Sequence, residues 1–233
     1  MDTQTRHALK QDKLVEATVT GVDWFKENRD RALRMLVPAV VVLAAIVVGL
    51  VIYNQRSAAA SLAFGQAMDL YNTPLAQPGQ PPVPGATTFS TVAERAKAAN
   101  QQFVDVTNRY GSLPAGTKAR YFAGLTFMEM GQNGNAEIAL KEVADGHNSD
   151  MAALAKVALA SLYQQTGRTS EAVVLYQQLI AKPTSTVPAN AAQLQLAALY
   201  QITNPAQAKR IYAQLKNDKS AAGEIAAQQL APK

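Results

Sequence analysis

The chain has no cysteine in 233 residues. That excludes disulfide scaffolds, thiolate zinc sites, thiol catalysis and a lipid-modified N-terminal cysteine. Histidine is nearly absent: His7 and His147 lie far apart, so no multi-histidine metal cluster is expected, and nothing calls for a metal or any other cofactor. Charged residues are 17% and aromatics 6%, too little charge for a disordered acidic or basic tail protein. Lys plus Arg number 22 against 17 Asp plus Glu, a net charge of +5. The basic residues are scattered without aromatic interleaving, which argues against nucleic-acid binding. There is no Gly-rich phosphate loop, and no small-molecule substrate is indicated. A cysteine-free chain suits an oxidising export compartment without requiring one.

Charge also disappears locally. Met35 to Tyr53 reads MLVPAVVVLAAIVVGLVIY, without one charged side chain. As a helix it spans about 28 Å, close to the hydrocarbon thickness of a bilayer. Buried core helices usually keep a polar stripe, and this run is apolar all round. Pro38 is expected in its first turn, where a missing N–H costs little. A cleavable signal peptide is the rival reading, because SAAAS (57–61) offers small residues. The long leader, the long apolar run and Arg56 ahead of those residues favour an uncleaved anchor. Lys26, Arg29, Arg31 and Arg34 precede the run and Arg56 follows it. The positive-inside rule then puts the N-terminus in the cytoplasm and the rest across a bacterial inner membrane, in the periplasm.

The expected organisation is a cytoplasmic segment 1–34, a membrane span 35–53 in contact with lipid, and an exported domain 54–233. In the first segment two readings stand side by side. Leu9, Leu14, Val15, Val22, Trp24 and Phe25 fit a short amphipathic helix lying on the membrane surface, or they belong to a solvated tail that ends in topology signals.

Beyond Tyr53 the apolar residues recur at helical spacing in an Ala-, Leu- and Gln-rich sequence, which predicts an all-α domain. NTPLAQPGQPPVPGATTFS (72–90) interrupts it and reads as an extended, mobile loop between two helices rather than a proline-rich ligand for another domain. Internal repetition follows. Phe127, Gly131, Ala136, Leu140 and Val143 recur thirty-six residues later as Tyr163, Gly167, Ala172, Tyr176 and Leu179. A third copy holds Tyr200, Ala208, Tyr212 and Leu215, with Asn204-Pro205 in place of the Gly turn. A first copy is recovered from Ala99, Phe103 and Val106, its leading helix being 58–71.

Each position has a physical reading. The aromatics fill the space between paired helices, Gly131 and Gly167 supply left-handed helix ends, and Ala136, Ala172 and Ala208 allow close helix approach. Pro183 terminates a helix, and 220–230 forms a closing cap of the kind repeat arrays need. Together with Gly124, Ala160 and Ala197 ahead of the aromatics, this pattern resembles the tetratricopeptide repeat. The fold class expected is all-α, a single N-terminal transmembrane helix followed by a tetratricopeptide-like right-handed α-solenoid.

The resemblance implies a partner-binding groove on the first helix of each repeat. It carries Tyr121, Leu125 and Met128, then Leu154, Val157, Ser161 and Gln164, then Leu194, Ala198 and Gln201. Only Lys118 is basic nearby, so the groove lacks a carboxylate clamp and suits apolar segments of other chains. No catalytic arrangement is visible. His147 lies in the polar linker DGHNSD (145–150), where a helix cap is expected at Ser149 or Asp150, and no enzyme activity is expected.

The juxtamembrane WFKENRDRALR (24–34), one signal-anchor helix and an exported repeat domain resemble the YfgM-like family, the ancillary subunit of the SecYEG translocon. That resemblance implies association with the translocon and a periplasmic chaperone, and help for exported clients. The proline-rich insertion 72–90 and the Ala/Gln-rich end 220–233 depart from it. The alternative is a non-catalytic scaffold for envelope assembly, such as cell division, outer-membrane or cytochrome biogenesis.

Overall fold

A computed structural model describes residues 29–76 and 88–231. The readings of Leu9 to Phe25, and of the proline-rich loop at 77–87, lie outside the described residues. Among the described residues the order is α1 (Arg29–Tyr71), α2 (Val92–Tyr110), α3 (Pro114–Glu129), α4 (Asn133–Ala144), α5 (Ser149–Gln165), α6 (Thr169–Ala181), α7 (Ala189–Thr203), α8 (Pro205–Leu215) and α9 (Ala221–Leu230). No strand forms there; a single isolated bridge joins Leu75 and Phe89, and Ala76 N–H donates to Phe89 O at 2.8 Å.

The chain divides into two compact units, Met1–Gln55 and Arg56–Lys233. In the first, α1 has a mean hydropathy of 3.1 over its most apolar window, and none of that window is buried. One helix near the N-terminus is thus long and apolar enough to cross a membrane. The helix already includes Arg29, so Pro38 is interior rather than in the first turn. The Arg, Ala and Leu residues of RDRALR are good helix formers and extend the helix ahead of the apolar run. Pro38 therefore forfeits the bond its N–H would have made to the Arg34 carbonyl.

In the second unit the sequence explains how each helix starts and stops. Thr91 accepts from Glu94 N–H at 3.1 Å while the Glu94 carboxylate accepts from Ser90 N–H at 3.0 Å, a reciprocal cap on α2. Pro114 and Pro205 stand at the openings of α3 and α8, where a missing donor costs nothing. Gly131 and Gly167 are left-handed, with φ of 70° and 76°. After each, the next N–H reaches back to the repeat aromatic: Gln132 to Phe127 O at 2.9 Å and Arg168 to Tyr163 O at 2.7 Å. This double closure ends α3 and α5 identically, thirty-six residues apart. The third turn does without it. Asn204 joins the two helices with φ of −153° and ψ of 78°, and its side chain accepts from Gln207 N–H at 3.2 Å.

The cap of α5 is Asn148, not Ser149 or Asp150: its Oδ1 accepts from Met151 N–H at 3.0 Å. The extended residue with an acceptor three positions before a free N–H is Asn148. Asp150, inside the first turn, instead accepts from Ser185 Oγ at 3.0 Å and holds the α6–α7 connection.

Each helix from α2 to α8 packs on its successor; α3 also touches α5, and α7 touches α9. The repeat alanines Ala99, Ala136, Ala172 and Ala208 are all buried, as are Phe103, Leu140, Tyr176 and Tyr212 four residues later. One apolar core runs through α4 to α9. A second joins Ala67, Phe64, Met68 and Tyr71 of α1 to Phe103 and Val106 of α2 and Ala119 and Ala123 of α3, and Phe127 packs against both cores.

Candidate protein-interaction surface

Tyr121, Leu125 and Met128 follow one another at helical spacing on α3, as do Leu154, Val157, Ser161 and Gln164 on α5 and Leu194, Ala198 and Gln201 on α7. The six apolar residues Tyr121, Leu125, Met128, Leu154, Val157 and Leu194 are half-buried, and all pack against the α4–α9 core. They are therefore anchored on one side and open on the other. Ser161 and Gln164 are half-buried too, whereas Ala198 and Gln201 are exposed. Tyr121 stands edge-on to Phe122 with ring centroids 5.4 Å apart, and burial raises its phenol pKa. Gln164 Nε2 donates to Tyr176 OH at 3.3 Å, and Gln201 Nε2 to Gln229 Oε1 at 2.9 Å. The second of these bonds ties α9 beside α7, so the closing helix carries the row of first helices onward.

The ten positions carry no charge. Lys118 and Lys156 stand beside them on α3 and α5, and other charged groups form separate networks that are not legible in the sequence. Glu137 of α4 accepts from Arg168 Nη1 at 2.6 Å, from Tyr163 OH at 3.0 Å and from Lys141 Nζ at 2.7 Å. The Arg168 guanidinium, and after it Lys141, hold the Glu137 carboxyl down to about 2. Arg168 also binds Glu171, Nη2 to Oε1 at 2.6 Å, and lies 4.1 Å from the centroid of the Tyr163 ring, a cation–π distance. At the other end Tyr71 OH donates to Glu129 Oε1 at 2.6 Å. Burial first and this carboxylate second push its phenol up to about 12.

Among the described residues no group of three or more His, Cys, Asp or Glu side chains is placed to hold a metal ion. His147 lies exposed between α4 and α5, and no nucleophile and base are brought to hydrogen-bonding distance of it. What the repeats offer is an uncharged face, supported from behind by a continuous core.

No curated protein and no solved structure matches the chain. The tetratricopeptide repeat-like domain family matches it over residues 23–230, nearly its whole length. The chain belongs to the tetratricopeptide repeat-like domain family.

Proposed function

We propose that the chain is a membrane-anchored protein-interaction module of a bacterial inner membrane. In this reading residues 35–53 cross the bilayer once, with residues 1–34 in the cytoplasm and residues 54–233 in the periplasm. The exported domain holds apolar segments of exported proteins, or recruits a periplasmic chaperone, beside the Sec translocon. The single observation that carries this reading is the uncharged row formed by Tyr121, Leu125, Met128, Leu154, Val157, Gln164 and Leu194, most of it apolar and half-exposed on successive first helices. Such a row gains by covering apolar side chains of another chain and offers no charge to select a particular sequence. The distribution of Arg29, Arg31 and Arg34 before the apolar run against Arg56 after it supports the orientation.

The test is photo-crosslinking in living cells from Tyr121 and Met128, with co-purification from solubilised membranes. Many different newly exported chains, together with translocon or chaperone components, are the expected adducts. One stable partner at both positions, with no translocon component recovered, overturns the export reading in favour of an envelope scaffold.

A further inference from the structure

The apolar run ends at Tyr53, and the second compact unit begins at Arg56. Only Asn54 and Gln55 stand between them. Three residues fully extended reach at most about 11 Å, so Arg56 stays within that distance of Tyr53 whatever angle the link takes. Where the run crosses a bilayer, its terminal aromatic marks the edge of the hydrocarbon, and the headgroup layer beyond it is about 5–8 Å deep. Arg56 is then confined to the headgroups or to the water just outside them.

Within the second unit Arg56 is fixed to one corner. Its Nη2 donates to Arg109 O at 3.4 Å, near the end of α2. One turn on, Ala60 packs with Leu113 and Ala115 at the start of α3. The α2–α3 turn is thus held about one side chain away from the point where the chain enters. Arg109 is held by Asp105 and Arg120 by Glu142, each at 3.0 Å. With those two pairs balanced, the exposed Arg56 and Lys118 leave the corner net positive. The α4–α5 connection (145–150), which follows Glu142, is the reverse: it carries Asp145 and Asp150 and neither Lys nor Arg.

We infer that the corner formed by Arg56, the α2–α3 turn and Lys118 docks on the anionic headgroups of the bilayer. This rests on the proposed reading of residues 35–53 as a membrane span. The tether supplies nearness, because a charge held within a Debye length of an anionic surface is attracted to it even in physiological salt. The charges supply the hold: Arg56 and Lys118 meet lipid phosphates, while Asp145 and Asp150 keep the α4–α5 connection off the surface. The contact is therefore one corner rather than a whole end of the domain. Because α3 starts in this corner, Tyr121, Leu125 and Met128 stand about 11, 17 and 21 Å along it from Pro114. A segment leaving the lipid surface meets the proposed client face at Tyr121 first.

The chain has no native cysteine, so one fluorophore can be attached at Ser112→Cys, in the turn, or at Gln132→Cys, past the far end of α3. The full chain is placed in nanodiscs whose lipids carry a headgroup nitroxide as a contact-range quencher. In phosphatidylglycerol discs the label at 112 should be quenched about threefold more than the label at 132. Phosphatidylcholine discs, high salt, or Arg56→Gln combined with Lys118→Gln should each cut quenching at 112 by about half. Arg56→Gln keeps a donor for Arg109 O, and the lipid and salt arms need no charge variant. Equal quenching at the two labels overturns the inference. So does quenching at 112 that ignores lipid charge, salt and the double variant alike, which would leave a tether without docking. A chain that carbonate strips from vesicles of the same lipids overturns the anchor reading itself, whereas a retained chain without the charge dependence overturns only the docking.

Discussion

Asn100 and Glu137 occupy the same repeat position, each directly after the buried alanine of its helix, yet they tie their helices to the next by different chemistry. Asn100 is almost fully buried, and its Nδ2 donates to Thr126 Oγ1 at 2.9 Å and to Ala123 O at 3.1 Å. Glu137 is ionised and partly open, and gathers Arg168, Lys141 and Tyr163. The smaller core that includes α2 is filled by the rings of Phe64, Tyr71, Phe103 and Phe122, with Phe103 and Phe122 stacked at 5.4 Å. In the larger core that includes α4, leucine does much of the filling, with Leu140, Leu159 and Leu162 all buried. In these two copies the polar tie stands at one position and differs in kind, whereas the later copies carry Val173 and Lys209 there. Beside the neutral tie, between α2, α3 and α4, lies an open cavity of about 280 Å³ lined by Val104, Ala123, Phe127 and Ala139 among others.

The comparison is tested most severely at Phe103 and its counterpart Leu140, which are both fully buried. Phe103→Ala removes a ring from a four-ring cluster and is expected to cost about 3–5 kcal/mol. Because Phe103 belongs to the smaller core with Ala67, Val106 and Ala123, amide exchange should open first in the latter part of α1 and in α2. Leu140→Ala should cost about 2–5 kcal/mol and open α4 to α6 instead. Uniform loss of protection in both variants would show that the two cores unfold as one.

The buried amide gives a sharper contrast. Asn100→Leu leaves the Thr126 hydroxyl with only carbonyl partners on its own helix, and Thr126→Val strips Asn100 of one of its two acceptors. Each is expected to lower stability in urea titrations by about 1–3 kcal/mol. The double variant, which removes both ends of the bond, should lose less than the sum of the two. Strict additivity would mean that the pair does not act as a unit.

How much of this was readable beforehand depends on what each feature rests on. Gly131, Gly167 and the alanines at 99, 136, 172 and 208 are fixed by backbone conformation and close approach, which leave a mark at one position. Repetition then makes the mark visible. The cap of α5 lies one or two residues before the Ser149 or Asp150 that the sequence predicts, because Asn148, Ser149 and Asp150 are all competent caps and only backbone geometry chooses among them. Pro38 is interior where the sequence predicts a first-turn position, because the helix-forming RDRALR carries the helix ahead of the hydrophobic run. The Glu137–Arg168 tie joins residues thirty-one apart, and nothing local announces it. The cavity had a legible signal, Ala123 and Ala139 set against Leu159 and Leu175, which emerges only when the repeats are compared position by position.

The two glycine turns serve as the control, because they are alike at neighbouring junctions. Each has positive φ and open space where a Cβ would stand, so replacement by alanine meets a conformational cost and no clash. Gly131→Ala and Gly167→Ala are each expected to cost about 1–2 kcal/mol, equally within error in thermal unfolding. A large inequality would mean that one turn is adjustable, and that the junctions differ in backbone as well as in side chains.

The smallest effect belongs to the charged tie, and acid should reveal it. Arg168 and Lys141 lower the Glu137 carboxyl from 4.5 to about 2, so the folded chain binds this proton less readily than the unfolded chain. The contribution is therefore complete above the ordinary glutamate value and fades as pH falls from there towards 2. The partners are water-accessible and salt screens them, so the tie is expected to be worth about 1 kcal/mol or less. Glu137→Gln should flatten stability against pH between about 4.5 and 2. Added salt should shrink the difference between variant and parent at neutral pH. Asn100→Leu, at the same repeat position, should leave both the acid slope and the salt response unchanged, because no ionisable group takes part in its bond. If Glu137→Gln keeps the parent's acid slope, another carboxylate carries it, and the two ties differ in burial but not in titration.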